Sequence, residues 1–335
     1  MKLHPAFSLL TVAALALTAC KRHDTAGGAG SGGDKLTIAL MPKSKGNAYF
    51  ISCKQGADEA AKELGAELLF DGPTEPDPAK QNEIIDNWIT LGVDVIAAAC
   101  ENKEGISTAL KKARDKGIKV VTYDSDANTD ARDFFVNQAT PEGIGHTLMD
   151  EAARLTGEEG EFAIITASLT AANMNEWRKH IEARLKEKFP KMKLVDTKPC
   201  DDLKDKAQAE ATNLLGAYPN LKLIMAICSP AVPGAAEAVK QAGKVGAVKV
   251  IGLGLPSENR SYIKQDVTQS VVLWKTTDLG YLTIRAAADV AKGALVAGAG
   301  KYNAGRLGEL QVQGDNIVLG KPFIFNKENI DQFDF

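Results

Sequence analysis

The chain has 335 residues, 44% of them hydrophobic and 25% charged, with a formal net charge of −3. At ~100–200 residues per domain that length predicts two domains, and the composition is that of a globular protein. The near-neutral balance offers no basic surface to a nucleic-acid partner, and the histidines at 4, 23, 146 and 180 lack zinc-ligand spacing.

Lys2 precedes an apolar run over 6–17. The run is shorter than the roughly 20 residues needed to span a bilayer, so 1–19 reads as a signal peptide. It ends in Leu17-Thr18-Ala19-Cys20, which looks like a lipobox and predicts a lipid on Cys20. The alternative is an ordinary signal peptide with an incidental cysteine; both predict export. Residues 20–34 contain AGGAGSGGD and read as a flexible tether.

Strand and helix patterns then alternate. Residues 36–41 are an apolar run of strand formers, 42–47 a polar loop, and Phe50, Cys53, Ala57, Ala60 and Leu64 follow at helical spacing. Strands are predicted over 66–70, 93–99, 118–123 and 134–137, with helices over 80–91 and 104–116 between them. The run VDVIAAA implies a strand buried on both faces. A second series follows: strands over 162–166, 194–197, 221–227 and 248–253, and helices over 173–189, 203–218 and 231–242. The fold class is therefore α/β, with two parallel-sheet lobes of similar build. Residues 268–274 alternate like a strand, and 278–292 form an amphipathic helix. If that helix packs on the first lobe, the chain crosses between lobes more than once. Hinges are expected near Gln138, Lys275 and Asn303, giving one lobe of 35–137 plus 275–303 and another of 138–274 plus 304–335.

In such sheets ligands bind beyond the carboxyl ends of the strands. Lys43 can donate to a hydroxyl there, Asn47 can donate and accept, and Tyr49 and Phe50 offer apolar faces. A solvated lysine and a core aromatic are the alternative. Asp124 and Asp126 follow a strand and suit vicinal hydroxyls, Asp124 first; an Asx turn is the alternative. Of Asn173 and Asn175, one is expected to cap a helix and the other to face the cleft. Cys228-Ser229 and Leu253 follow later strands, with Ser229 the polar candidate. Trp274 offers a flat face to a sugar ring, or else is a core residue. No G-x-S-x-G, P-loop or H-E-x-x-H is present, and no G-x-G-x-x-G follows the first strand, where a dinucleotide would need it. The pattern points to binding without chemistry: no enzyme, no catalytic residue, no cofactor, no metal. Cys53, Cys100, Cys200 and Cys228 are expected as free thiols, since Cys200 and Cys228 end strands that flank a third and do not touch.

The segments PKSKGNAYF (42–50), DGPTEPD (71–77), TYDSD (122–126), NMNEW (173–177), GLGLPSE (252–258) and LWKTTDLGY (273–281) together resemble the substrate-binding proteins of ABC-type sugar importers. The likeness covers 36–335 and lies in the ribose-binding-like group, in its rhamnose-binding and autoinducer-2-binding branch. It implies two Rossmann-like lobes joined by three hinge strands, as in type I periplasmic binding proteins, and a ligand buried between them. Autoinducer-2 receptors share the lysine at Lys43 and the aspartate in TYDSD. They carry Asp-Gln where this chain has Asn173-Met174, and Pro and Ala where it has Ile227 and Ser229. The remaining motifs look more like the rhamnose type, implying a neutral deoxyhexose; autoinducer-2 is the alternative. The implied partners are an ABC permease with its ATPase and a membrane reached through the lipid anchor. The implied protein is a monomer facing the periplasm or cell exterior.

Overall fold

The computed structural model describes residues 35–335. The expected signal peptide and tether, and the expected lipidation at Cys20, lie outside the described residues. The chain opens with β1 (Thr37–Met41), α1 (Ala48–Leu64), β2 (Glu67–Phe70), α2 (Pro78–Leu91), β3 (Val95–Ala98), α3 (Lys103–Asp115), β4 (Lys119–Tyr123) and β5 (Phe134–Asn137). These strands pair in parallel in the order β2-β1-β3-β4-β5. Every residue of β3 is buried, because helices cover both faces. Local chemistry sets the helix ends. Asn47 and Asp77 cap α1 and α2 through side-chain oxygens, and Pro78 occupies the first turn of α2, where its missing N–H is not needed.

The second series is α4 (Pro141–Thr156), β6 (Gly160–Thr166), α5 (Ala172–Lys188), β7 (Met192–Pro199), α6 (Lys204–Ala217), β8 (Leu221–Ala226), α7 (Ala231–Gln241), β9 (Lys249–Leu253), α8 (Pro256–Lys264) and β10 (Ser270–Leu273). Its parallel strands run β10-β9-β8-β6-β7. Both sheets are doubly wound, and the architecture is the two-lobe α/β fold.

The last third interleaves the lobes. After β10 the chain forms α9 (Thr276–Ala291), which packs on α1 of the first lobe. The approach is close enough to require glycine: a Cβ at Gly280 would lie 1.8 Å from the Cys53 carbonyl oxygen, and one at Gly56 1.7 Å from that of Thr277. Then β11 (Lys301–Asn303), β12 (Glu309–Gln313) and β13 (Asn316–Val318) extend the first sheet, β13 pairing with β5. Only β14 (Phe323–Asn326) joins the second, antiparallel to β10. The chain thus passes between sheets after β5, after β10 and after β13. This corrects the expected third crossing near Asn303 and the placing of 304–318 in the second lobe. β12 and β13 lie between β11 and β5 and are only five and three residues long, too short for their side-chain pattern to mark them as part of the first sheet. No helix among the described residues is long and apolar enough to cross a membrane.

Candidate functional site

The loops beyond the carboxyl ends of both sheets face one another across a cavity of about 50 Å³. Lys43, Asn47, Tyr49, Phe50 and Asp124 reach it from the first sheet, and Asn173, Ser229, Leu253 and Trp274 from the second or its exit. All nine are residues singled out above.

One hydrogen-bonded chain runs along its wall. Trp274 Nε1 donates to the Tyr49 hydroxyl at 2.9 Å, and that hydroxyl donates to Asp124 Oδ1 at 2.8 Å. Burial, followed by the neighbouring Asp124, pushes the Tyr49 hydroxyl well above the usual phenol range, so it stays a donor. Lys43 Nζ stands 3.9 Å from Asp124 Oδ2. Burial raises the Asp124 carboxyl while Lys43 pulls it back. Asp124 also has φ +61°, a left-handed backbone that aspartate tolerates better than most residues and that clusters at functional sites. Trp274 stands edge-on to Tyr49 at 6.1 Å between ring centroids, and Trp177 lies 6.3 Å from Trp274.

Hydrogen bonds span the cleft from one lobe to the other: Ser168 Oγ donates to Glu101 Oε1 at 3.3 Å. Lys43 Nζ donates to Asn173 Oδ1 at 3.0 Å, and Asn47 Nδ2 donates to Asp202 Oδ2 at 2.7 Å. Asn47 serves two ends at once, since its Oδ1 accepts from the Tyr49 N–H at the start of α1.

Asp126 and Asn175 do not reach the cavity, which corrects two expectations. Arg132 clasps Asp126 with Nε at 2.7 Å and Nη2 at 2.9 Å, and the same guanidinium pairs with Asp315 of the β12–β13 turn at 2.8 Å. Asp126 therefore fixes the edge of the first sheet. Asn175 donates to the Leu169 carbonyl and receives a bond from Arg178. Neither asparagine caps α5: Ala171 holds that position without a side-chain bond.

The cavity also takes in residues outside that set, among them Glu101, Trp177 and Asp202. Glu101 lies three residues past β3 and Asp202 three past β7, so the rule that selected Asp124 would have selected both. Burial pushes Asp202 up to about 6, against the bond from Asn47 and the charge of Lys43. The four cysteines among the described residues are free, as expected, but the expected separation of one pair is corrected. β7 and β8 flank β6 as expected, yet Cys200 and Cys228, just past their ends, lean together with sulfurs 3.4 Å apart, unbonded.

The family model of the periplasmic binding protein domain matches residues 38–295. The chain belongs to that family. Among curated periplasmic binding proteins it is 28% identical over 266 residues to the D-allose-binding periplasmic protein of Escherichia coli K12, covering 76% of this chain and 84% of that one. Among solved structures, an ABC transporter solute-binding protein from Clostridium phytofermentas with bound L-rhamnose superposes with a TM-score of 0.86 at 30% identity, over 89% of this chain and 98% of that one. LsrB from Clostridium saccharobutylicum in complex with AI-2 gives 0.85 at 24% identity, over 89% and 100%; at that identity the likeness is one of fold.

Proposed function

We propose that this periplasmic binding protein is the lipid-anchored solute receptor of an ABC-type sugar importer. It binds a neutral deoxyhexose of the L-rhamnose kind between its lobes and delivers it, unaltered, to a membrane permease. The observation that carries this reading is the convergence of Lys43, Asp124, Asn173 and Trp274, from both lobes, on one cavity. The set combines a charged donor, a charged acceptor, an amide that can do both, and an aromatic face. Met174, Ile227, Leu253 and Leu273 add an apolar corner suited to the methyl group of a deoxy sugar. The relative solved with L-rhamnose supports the same class.

Function as a clamp follows from the bridging bonds. A ligand that engages Lys43, Asn47 and Asn173 competes with the Lys43–Asn173 and Asn47–Asp202 bonds and takes over their bridging role. A ligand touching both lobes favours the closed form by its contacts unique to that form. Autoinducer-2 is the second reading, favoured by the Lys43–Asp124 pair. Asn173-Met174, Ile227 and Ser229 stand against it.

The test is calorimetric titration with L-rhamnose, D-ribose, D-allose and autoinducer-2. L-rhamnose is expected to bind with one site. Absence of binding by all four overturns the reading, and tighter binding of autoinducer-2 transfers it to the second.

A further inference from the structure

The cavity wall carries three carboxylates, Glu101, Asp124 and Asp202, and one basic residue, Lys43, whose Nζ lies 3.9 Å from Asp124 Oδ2. Asp202 stands on the side opposite Asp124. It follows Asp201, and both have left-handed backbones, with φ of +56° and +52°. Two successive strained residues that are not glycine persist only where surrounding structure holds them. Here they hold a carboxylate toward the cavity. That carboxylate accepts from the Asn47 amide at Oδ2 and from the neighbouring Cys228 thiol, which leaves part of the roughly four acceptor positions of an ionised aspartate free. Glu101 accepts only from Ser168 Oγ, at 3.3 Å. Asp202 is the one carboxylate that the second lobe contributes to the cavity wall, since Glu101 and Asp124 come from the first.

We propose that Asp202 is a further specificity-determining residue of the site: it accepts from ligand hydroxyls on the second-lobe side and so selects ligands that present donors there. This rests on the sugar-receptor reading and deepens it. Ligand hydroxyls replace the Asn47 amide on Oδ2 and take the carboxylate's remaining acceptor positions. The titratable groups facing Asp202 are Lys43 and Glu101 from the first lobe and Cys228 from the second; Asp201 beside it is paired with Lys206. Burial pushes the Asp202 carboxyl up to about 6, so its charge changes near that pH. Its ionised form is the stronger acceptor, so affinity rises with pH across that point.

The experiment is calorimetry of L-rhamnose, D-ribose and D-allose with the full chain and with Asp202→Asn, at pH 5 and pH 8. Asparagine tolerates the left-handed backbone and keeps the volume, and melting curves confirm folding of the variant. The expected result is a several-fold gain in wild-type affinity from pH 5 to pH 8. The variant should bind at least about tenfold more weakly at pH 8, with no change between the two pH values. A variant that binds within twofold of wild type, or keeps the wild-type pH profile, overturns the role of Asp202 and leaves the sugar receptor standing. If the wild type binds none of the three, both fall together.

Discussion

Replacing Asp124 tests the site most sharply, because fold and binding effects can be separated there. Asp124→Ala removes the acceptor of the Tyr49 hydroxyl and the carboxylate nearest Lys43. A buried bond to a charged group contributes about 1.5–3 kcal/mol, so the variant is expected to lose ~2 kcal/mol of sugar affinity, about 30-fold in Kd. It also places alanine at φ +61°, which adds about 1 kcal/mol of backbone strain, and it orphans a buried hydroxyl. Asp124→Asn keeps an oxygen for Tyr49 and tolerates the same backbone, losing only the charge. The two variants should therefore differ in Tm and agree in weakened binding. Calorimetry measures the binding and differential scanning fluorimetry the fold. If Asp124→Asn binds L-rhamnose within twofold of wild type, the carboxylate is not a ligand group and the reasoning fails.

Other outcomes follow from neighbouring contacts. Trp274→Phe keeps a ring but removes the N–H that donates to Tyr49, and should weaken binding by about 1 kcal/mol in the same titration. Asp126→Asn should lower stability by ~2–3 kcal/mol in urea unfolding, by stripping Arg132 of its bidentate partner, while sugar affinity stays within twofold. Gly280→Ala should force α9 away from α1 and lower stability by about 2–4 kcal/mol. For Asp202 the folded carboxyl titrates above its unfolded value of 3.8, so between pH 4 and 6 the folded state binds more protons. Stability of the ligand-free protein should fall as pH rises through that window, by on the order of 1–3 kcal/mol, and Asp202→Asn should flatten the curve.

The lobe cores were legible because their strands are apolar on both faces: the buried run of β3 could hardly be anything else. Asp124 was legible for a related reason, since an acidic residue directly past a buried strand stands out. Glu101 and Asp202 carry the same signal but lie three residues further on, beyond a cysteine and a turn. Asp126 was misplaced because its partner, Arg132, is held in turn by Asp315 from a strand pair hidden in the sequence. The third crossing was lost with that pair: ELQVQ alternates like a strand, but it is the pairing of β13 with β5 that assigns both to the first sheet, and such short segments do not state their partner. The contact between Cys200 and Cys228 depends on how two loops converge beyond a shared neighbour strand, which pattern alone does not encode.

The central claim is that two lobes close on one small hydroxylated molecule and do no chemistry on it. A crystal structure of the protein purified without stripping its ligand tests this most directly. The account predicts an intact sugar ring in the cleft, bonded to Lys43 and Asp124 on one side and Asn173 on the other, with its apolar face on Trp274. A ligand bound elsewhere, or these four side chains turned away from a common cavity, would contradict it.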